Sequence, residues 1–180
     1  MTFELDKFRA GIFNLSSARF GKIAVLMIQQ LYGYSEPPVK YYNLYDASSD
    51  LRIEVGFSRA MNKPHTINKS NVVSEIYNAA SNRKEIIDTS NLPVCKFTCN
   101  IQQLKLNHFD ILYYGIFFNN TINIYRVTAS ELPTLPGFNS KQHESSVGEA
   151  QMNITEANIC QHKEYLVAQL SYHELFKLLS

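Results

Sequence analysis

The sequence predicts an α/β fold on three observations. Apolar residues recur at three-and-four spacing over Phe20, Ile23, Ala24, Met27, Ile28 and Leu31, the repeat of a helix with one buried face. Leu51, Ile53, Val55 and Phe57 alternate with Arg52, Glu54, Gly56 and Ser58, the period of a strand with one polar face. Residues 109–118 form a nearly unbroken apolar run, too short to span a bilayer, that reads as a strand buried on both faces.

The remaining elements follow in order. The first helix starts after Ser16 and Ser17, residues that satisfy free N–H groups, and closes at Gly33, which tolerates the left-handed turn of a helix end. Pro37-Pro38 then breaks the chain, and residues 39–45 are rich in strand formers. Ala47-Ser48-Ser49-Asp50 supplies a turn into the alternating strand, which makes a β-hairpin. Asn68-Lys69-Ser70 offers the start of a second helix through Val72, Val73, Ile76, Tyr77 and Ala80. Residues 97–104 read as a strand, and the run at 109–118 turns at Asn119-Asn120 into another strand at 122–127. Residues 133–148, with their prolines, glycines and a polar cluster, read as a long loop, and Ser171 caps a last helix through Leu175, Phe176, Leu178 and Leu179.

Length and composition bound what the protein does. A chain of 180 residues with 45% hydrophobic content holds one well-buried core and is too short for two ordinary domains, so one domain is expected over 1–180. Lys+Arg 17 against Asp+Glu 16 leaves a formal charge of +1, so nucleic-acid or membrane binding requires a local basic surface rather than bulk charge. The amino terminus carries Glu4 and Asp6 and no apolar signal core, which sets the expectation of a cytoplasmic protein without a membrane span. Cys95, Cys99 and Cys160 lack disulfide or zinc spacing and read as reduced thiols, and the histidines lack metal-ligand spacing.

The hairpin carries the chemistry. It reads Tyr45-Asp46-Ala47-Ser48-Ser49-Asp50-Leu51-Arg52-Ile53-Glu54-Val55-Gly56-Phe57-Ser58-Arg59. With the turn centred on Asp50, a register of 46 to 54 sets two carboxylates opposite each other, Cα atoms roughly 4.5–5.5 Å apart. Two carboxylates with waters and a phosphate suffice for Mg²⁺, which prefers octahedral oxygen ligands. Each acid also has a plainer reading, Asp46 as a turn residue and Glu54 as a solvated strand residue.

Helix, hairpin with an internal Glu, helix and later core strands in this order resemble the PD-(D/E)XK nucleases, and more narrowly the short type II restriction endonucleases of bacteria. The resemblance touches residues 15–175, taking in Ile101-Gln102-Gln103-Leu104-Lys105, the strands at 109–113 and 122–127, and the Lys141-Gln142-His143 and Gly148-Glu149-Ala150-Gln151 segments. It implies a restriction-endonuclease-like core, a mixed central sheet with a catalytic β-hairpin flanked by helices. It also implies Mg²⁺-dependent hydrolysis of double-stranded DNA by a homodimer whose two-fold symmetry matches a palindromic site. In that family an Asp begins one hairpin strand and the next carries (Asp/Glu)-x-Lys. Asp46 and Glu54 match the two acids and metal ligands, while Gly56 stands where the family has its Lys. Residues 54 and 56 share a strand face, so Gly56 leaves that face without an ammonium group unless another residue such as Lys22 replaces it. Lys105, Lys141, Gln142 and His143 supply the cations, amide and imidazole suited to phosphate and base-edge contact. Two alternatives stand beside the enzyme: a catalytically silent DNA-binding protein of the same fold, for which Gly56 speaks, and an interaction domain without nucleic acid, for which the neutral net charge speaks.

Overall fold

The computed structural model describes residues 2–63, 66–79, 86–92, 94–141 and 148–180. Its elements run α1 (Thr2–Asn14), α2 (Ser17–Tyr32), β1 (Leu44–Asp46), β2 (Leu51–Arg59), β3 (Met61–Asn62), α3 (Val72–Ala79), β4 (Phe97–Leu104), β5 (Ile111–Phe117), β6 (Ile122–Thr128), β7 (Phe138–Asn139), β8 (Ala150–Thr155), β9 (Leu166–Leu170) and α4 (Tyr172–Leu179). Five strands make a mixed sheet in the order β1-β2-β5-β6-β9. Within it β2 and β5 run parallel and the other neighbours antiparallel. A parallel neighbour cannot be reached through a tight turn, and the β2-to-β5 connection accordingly carries β3, α3 and β4.

Burial explains the layering. All seven residues of β5 are buried. Leu112, Tyr114 and Ile116 enter a core shared with Phe97, Ile101, Leu104, Met152 and Ile154. Ile111, Tyr113 and Phe117 enter a second core shared with Phe20, Met27, Ile28, Tyr172 and Leu175. The first core lies under an antiparallel sheet of order β3-β4-β8-β7, and the second under α1, α2 and α4. Each large apolar side chain taken fully out of water contributes about 1.5–3 kcal/mol, so both faces of β5 have to be covered.

The expected ends at Gly33 and Ser171 hold, whereas Ser17 is the first residue of α2 and Ser16 before it makes no side-chain capping hydrogen bond. α2 follows extended Ser16 and closes at Gly33, whose φ of 71° lets its N–H donate to the Gln29 carbonyl at 2.8 Å. Ser171 caps α4 reciprocally with Glu174: the Glu174 N–H donates to Ser171 Oγ at 3.2 Å, and the Ser171 N–H donates to Glu174 Oε2 at 2.7 Å. Other boundaries differ. The extended stretch expected at 39–45 narrows to β1, α1, β3, β8 and β9 join the expected elements, and the loop expected at 133–148 carries the short strand β7. The second helix forms as α3, with Val73, Ile76 and Tyr77 left 61%, 64% and 78% exposed.

Gly115 is the more tightly enclosed of the two glycines in the mixed sheet. A Cβ there would meet the Phe57 ring and the Asn123 carbonyl oxygen well inside van der Waals distance. Gly115→Ala is therefore expected to destabilise the protein by about 2 kcal/mol or more, read as a lower urea midpoint at unchanged slope.

Candidate functional site

The site is built on the free part of β2. The hairpin ladder pairs Leu44 with Ile53, Tyr45 with Arg52 and Asp46 with Leu51. Its last bonds run from the Asn43 N–H to the Ile53 carbonyl at 3.0 Å and from the Val55 N–H to Asn43 Oδ1 at 2.8 Å. Beyond Val55 the outer edge of β2 has no strand beside it among the described residues, and a cleft of about 480 Å³ opens there. Ser17, Phe20, Gly21 and Val25 of α2 line one wall, and Asn100, Gln102 and Gln103 of β4 the other.

Glu54, Gly56 and Ser58 lie on the β2 face turned towards the second sheet, because Ile53, Val55 and Phe57 pack on the helix side. Burial pushes the Glu54 carboxyl up from its ordinary 4.5 to about 7, against a backbone hydrogen bond at Asn43 and the charge of Lys105, which both favour the anion. At neutral pH this carboxyl is therefore close to half protonated, the condition for accepting or giving a proton. Arg59 closes the far end of the cleft, its guanidinium 4.0 Å over the Phe20 ring and Nη2 donating to the Ile12 and Leu15 carbonyls at 3.1 and 2.8 Å.

Asp46 lies elsewhere, which corrects the paired-carboxylate expectation. Its partner is Leu51, three positions short of Glu54, and an odd offset along a strand turns the two side chains to opposite faces. The cause is local. Asp46 Oδ1 accepts the Ser48 N–H at 3.0 Å and Ser48 Oγ at 2.6 Å, and Oδ2 accepts Ser49 Oγ at 2.6 Å, so the carboxylate organises the turn. Those hydrogen bonds hold its pKa below the usual carboxylate range. Asp50 completes the turn with φ 55° and accepts the Tyr45 hydroxyl at 2.6 Å. Among the described residues no cluster of three or more His, Cys, Asp or Glu side chains surrounds a metal-sized space. With their side chains on opposite faces of the hairpin, Asp46 and Glu54 do not fit a shared Mg²⁺ site.

Gly56 is a packing position. It shares the face of Glu54, as the alternation requires, and a Cβ there would lie 2.6 Å from Ile101 Cγ2, 3.7 Å from Leu112 Cδ1 and 3.8 Å from Leu104 Cδ2. A lysine at 56 would need Ile101 to move.

Of the expected DNA-contact residues, Lys105 lines a second cavity of about 600 Å³, together with Asn107, His108, Phe138, Ser140 and Glu149, among others. Lys105 Nζ lies 3.3 Å from Glu149 Oε1. Lys141 is exposed near this cavity, its N–H donating to Asn139 Oδ1 at 2.9 Å, while Gln142 and His143 lie outside the described residues. Lys22 is exposed on α2 and does not line the cleft. Sequence reasoning missed Asn43, Arg59 and the clamp of Arg52 on Asp110, whose Nε and Nη2 reach the carboxylate at 3.0 and 2.7 Å and tie β2 to the start of β5. Comparison with known proteins finds no matching protein-family model and no curated protein similar to the chain.

Two outcomes follow from this geometry. Between pH about 4.5 and about 7 the folded protein holds a Glu54 proton that the unfolded chain has released, so raising the pH through that window weakens the fold by an amount that Glu54→Gln removes. Urea unfolding of both forms on either side of the window measures it, and equal pH slopes refute it. For Gly56, overpacking sets Gly56→Ala at about 1–3 kcal/mol of lost stability and Ile101→Ala at about 2–5. The double variant is expected to lose less than the sum, because the new methyl occupies the space Ile101 vacates, and simple additivity would exclude the contact.

Proposed function

We propose that the protein binds double-stranded DNA as a restriction-endonuclease-type homodimer, with Mg²⁺-dependent phosphodiester hydrolysis weak or lost in this chain. One observation carries the reading: a Glu of raised pKa faces a polar cleft from the hairpin strand of a mixed, helix-flanked sheet, at the position that resembles the PD-(D/E)XK acid. The parallel pairing of that strand with β5 and the packing of α2 behind it agree with a restriction-endonuclease-like core. Two features argue for impaired chemistry. Asp46 is spent on its turn, so a second carboxylate does not join Glu54, and Gly56 is enclosed by Ile101 where the family places its ammonium group. Lys105 is the cation whose charge acts on Glu54, and in a complex it would be drawn to phosphate at the expense of Glu149. A bacterial cytoplasmic setting accompanies this reading, and no described helix is long and apolar enough to cross a membrane.

Gel-shift titration of mixed-sequence duplex DNA tests it. Binding is expected to weaken steeply between ~50 and ~200 mM salt, since each neutralised phosphate releases counterions. Binding that is absent or salt-independent would sink the proposal. On supercoiled plasmid with magnesium, cleavage is expected to match that of Asp46→Ala and Glu54→Ala variants, and cleavage well above those controls would assign hydrolysis to the chain as it stands.

A further inference from the structure

The central strands of the second sheet present an unusual outer face. β4 and β8 pair antiparallel with Thr98 opposite Thr155 and Asn100 opposite Asn153. Phe97, Cys99, Ile101, Ala150, Met152 and Ile154 are buried beneath. Alternation therefore turns Thr98, Asn100, Gln102, Gln151, Asn153 and Thr155 outward. A polar outer face is ordinary for an antiparallel sheet, but this one consists of carboxamides and threonine hydroxyls without a charge. Asparagine is depleted in strands, and two asparagines sit directly opposite each other at the middle of the ladder, where β-branched residues would hold the sheet better.

These side chains are also oriented. Thr98 Oγ1 donates to Asn153 Oδ1 at 3.0 Å, and Asn100 Nδ2 donates to Gln151 Oε1 at 3.3 Å. The bonds fix the amide planes and leave Asn100 Oδ1 and Asn153 Nδ2, one acceptor and one donor group, without a partner among the described residues. A register shift between Ile101 and Leu104, with Gln103 at φ 61°, sends Gln102 and Gln103 outward together beside the Glu54 cleft. The amide face and the cleft are thus continuous.

Charge is confined to the ends of the ribbon. Exposed Lys63 and Lys96 stand at one end, linked by the Lys63 N–H to the Lys96 carbonyl at 2.9 Å, and Lys105 and Lys141 stand at the other. The nearby acids among the described residues are engaged: Glu149 pairs with Lys105, and Glu156 accepts the Phe97 N–H at 3.1 Å. A face that bound another protein would offer aromatic, Met and Arg side chains at its centre, and none is present on these six positions. Amides flanked by lysines suit duplex DNA. The major groove admits two paired strands, and here β3 and β7 flank only Phe97–Thr98 of β4 and Gln151–Met152 of β8; Asn and Gln pair with the donor and acceptor of adenine, and lysines meet the phosphates on either side.

We propose that the outer face of the β4–β8 ribbon is the base-reading surface of this protein, entering the major groove with Asn100, Gln102 and Asn153 on base edges and the four lysines on the backbone. The inference rests on the DNA-binding function proposed above and locates the sequence reading within it.

The test selects binders from a duplex library with a randomised core, using the parent protein, and compares variants on the selected and on mixed-sequence duplexes. Asn100→Thr with Asn153→Thr raises strand propensity, so this double variant is expected to melt no lower than the parent. It is expected to lose about 10-fold or more in affinity for the selected duplex while binding mixed-sequence duplex within about 3-fold of the parent. Lys96→Ala is expected to weaken both duplexes alike and to reduce the salt slope by about 1. If the double variant selects the same sequence with the parent's affinity, the ribbon does not read bases, although DNA binding stands. If the parent binds no duplex in a salt-dependent way, the DNA-binding function fails and the inference with it.

Discussion

Burial of β5 on both faces is the constraint on which the rest of the molecule depends. A strand that reads Ile-Leu-Tyr-Tyr-Gly-Ile-Phe has no side to give to water, so its chain must supply two covers. Three helices form one and a four-stranded sheet the other. The parallel neighbour β2 inherits this arrangement. Its odd-numbered residues join the helix core, and its even-numbered residues are pressed towards β4, which is why Gly56 and not a larger residue sits under Ile101.

That placement also sets the chemistry of Glu54. The carboxyl lies on the side of β2 that the second sheet covers, yet close to the strand's open edge, so it is taken largely out of water without being sealed from the cleft. Burial raises its pKa, and Lys105, entering from the end of β4, opposes that rise only partly. Asp46, three residues after Asn43, is already outside this environment and is stabilised as an anion by Ser48 and Ser49. Two acids eight positions apart thus acquire opposite pKa shifts, and the difference comes from register.

The second sheet has two roles on its two faces. Its inner face closes the core over β5, while its outer face carries amides that cost the sheet stability and are tied to one another rather than to the core. The bulge at Gln102 and Gln103 links that outer face to the cleft, because the extra residue swings the end of β4 towards the edge of β2. Gln103 holds φ 61°, a conformation a glutamine adopts only where its surroundings enforce it.

Local periodicity and capping chemistry are written in the sequence, and the elements they set could be read there. α2 with Gly33, the α4 cap at Ser171, the paired strands β5 and β6, the hairpin turn and the shared face of residues 54 and 56 were all legible, since each depends on side-chain spacing over a few residues. Leu5, Phe8 and Ile12 also recur at helical spacing, and Ala150, Met152 and Ile154 alternate, so α1 and β8 left signals that more conspicuous patterns obscured. Packing of the whole chain sets the register that separates Asp46 from Glu54, the closeness of Ile101 to Gly56, and the pairing of Lys105 with Glu149. A one-residue change in how the 47–50 turn closes flips every side chain of β1 to the other face, and no pattern within β1 or β2 records which closure is adopted. Contacts between residues 45 positions apart, such as Gly56 and Ile101, arise from how one sheet lies on another, and that arrangement belongs to the packed chain as a whole.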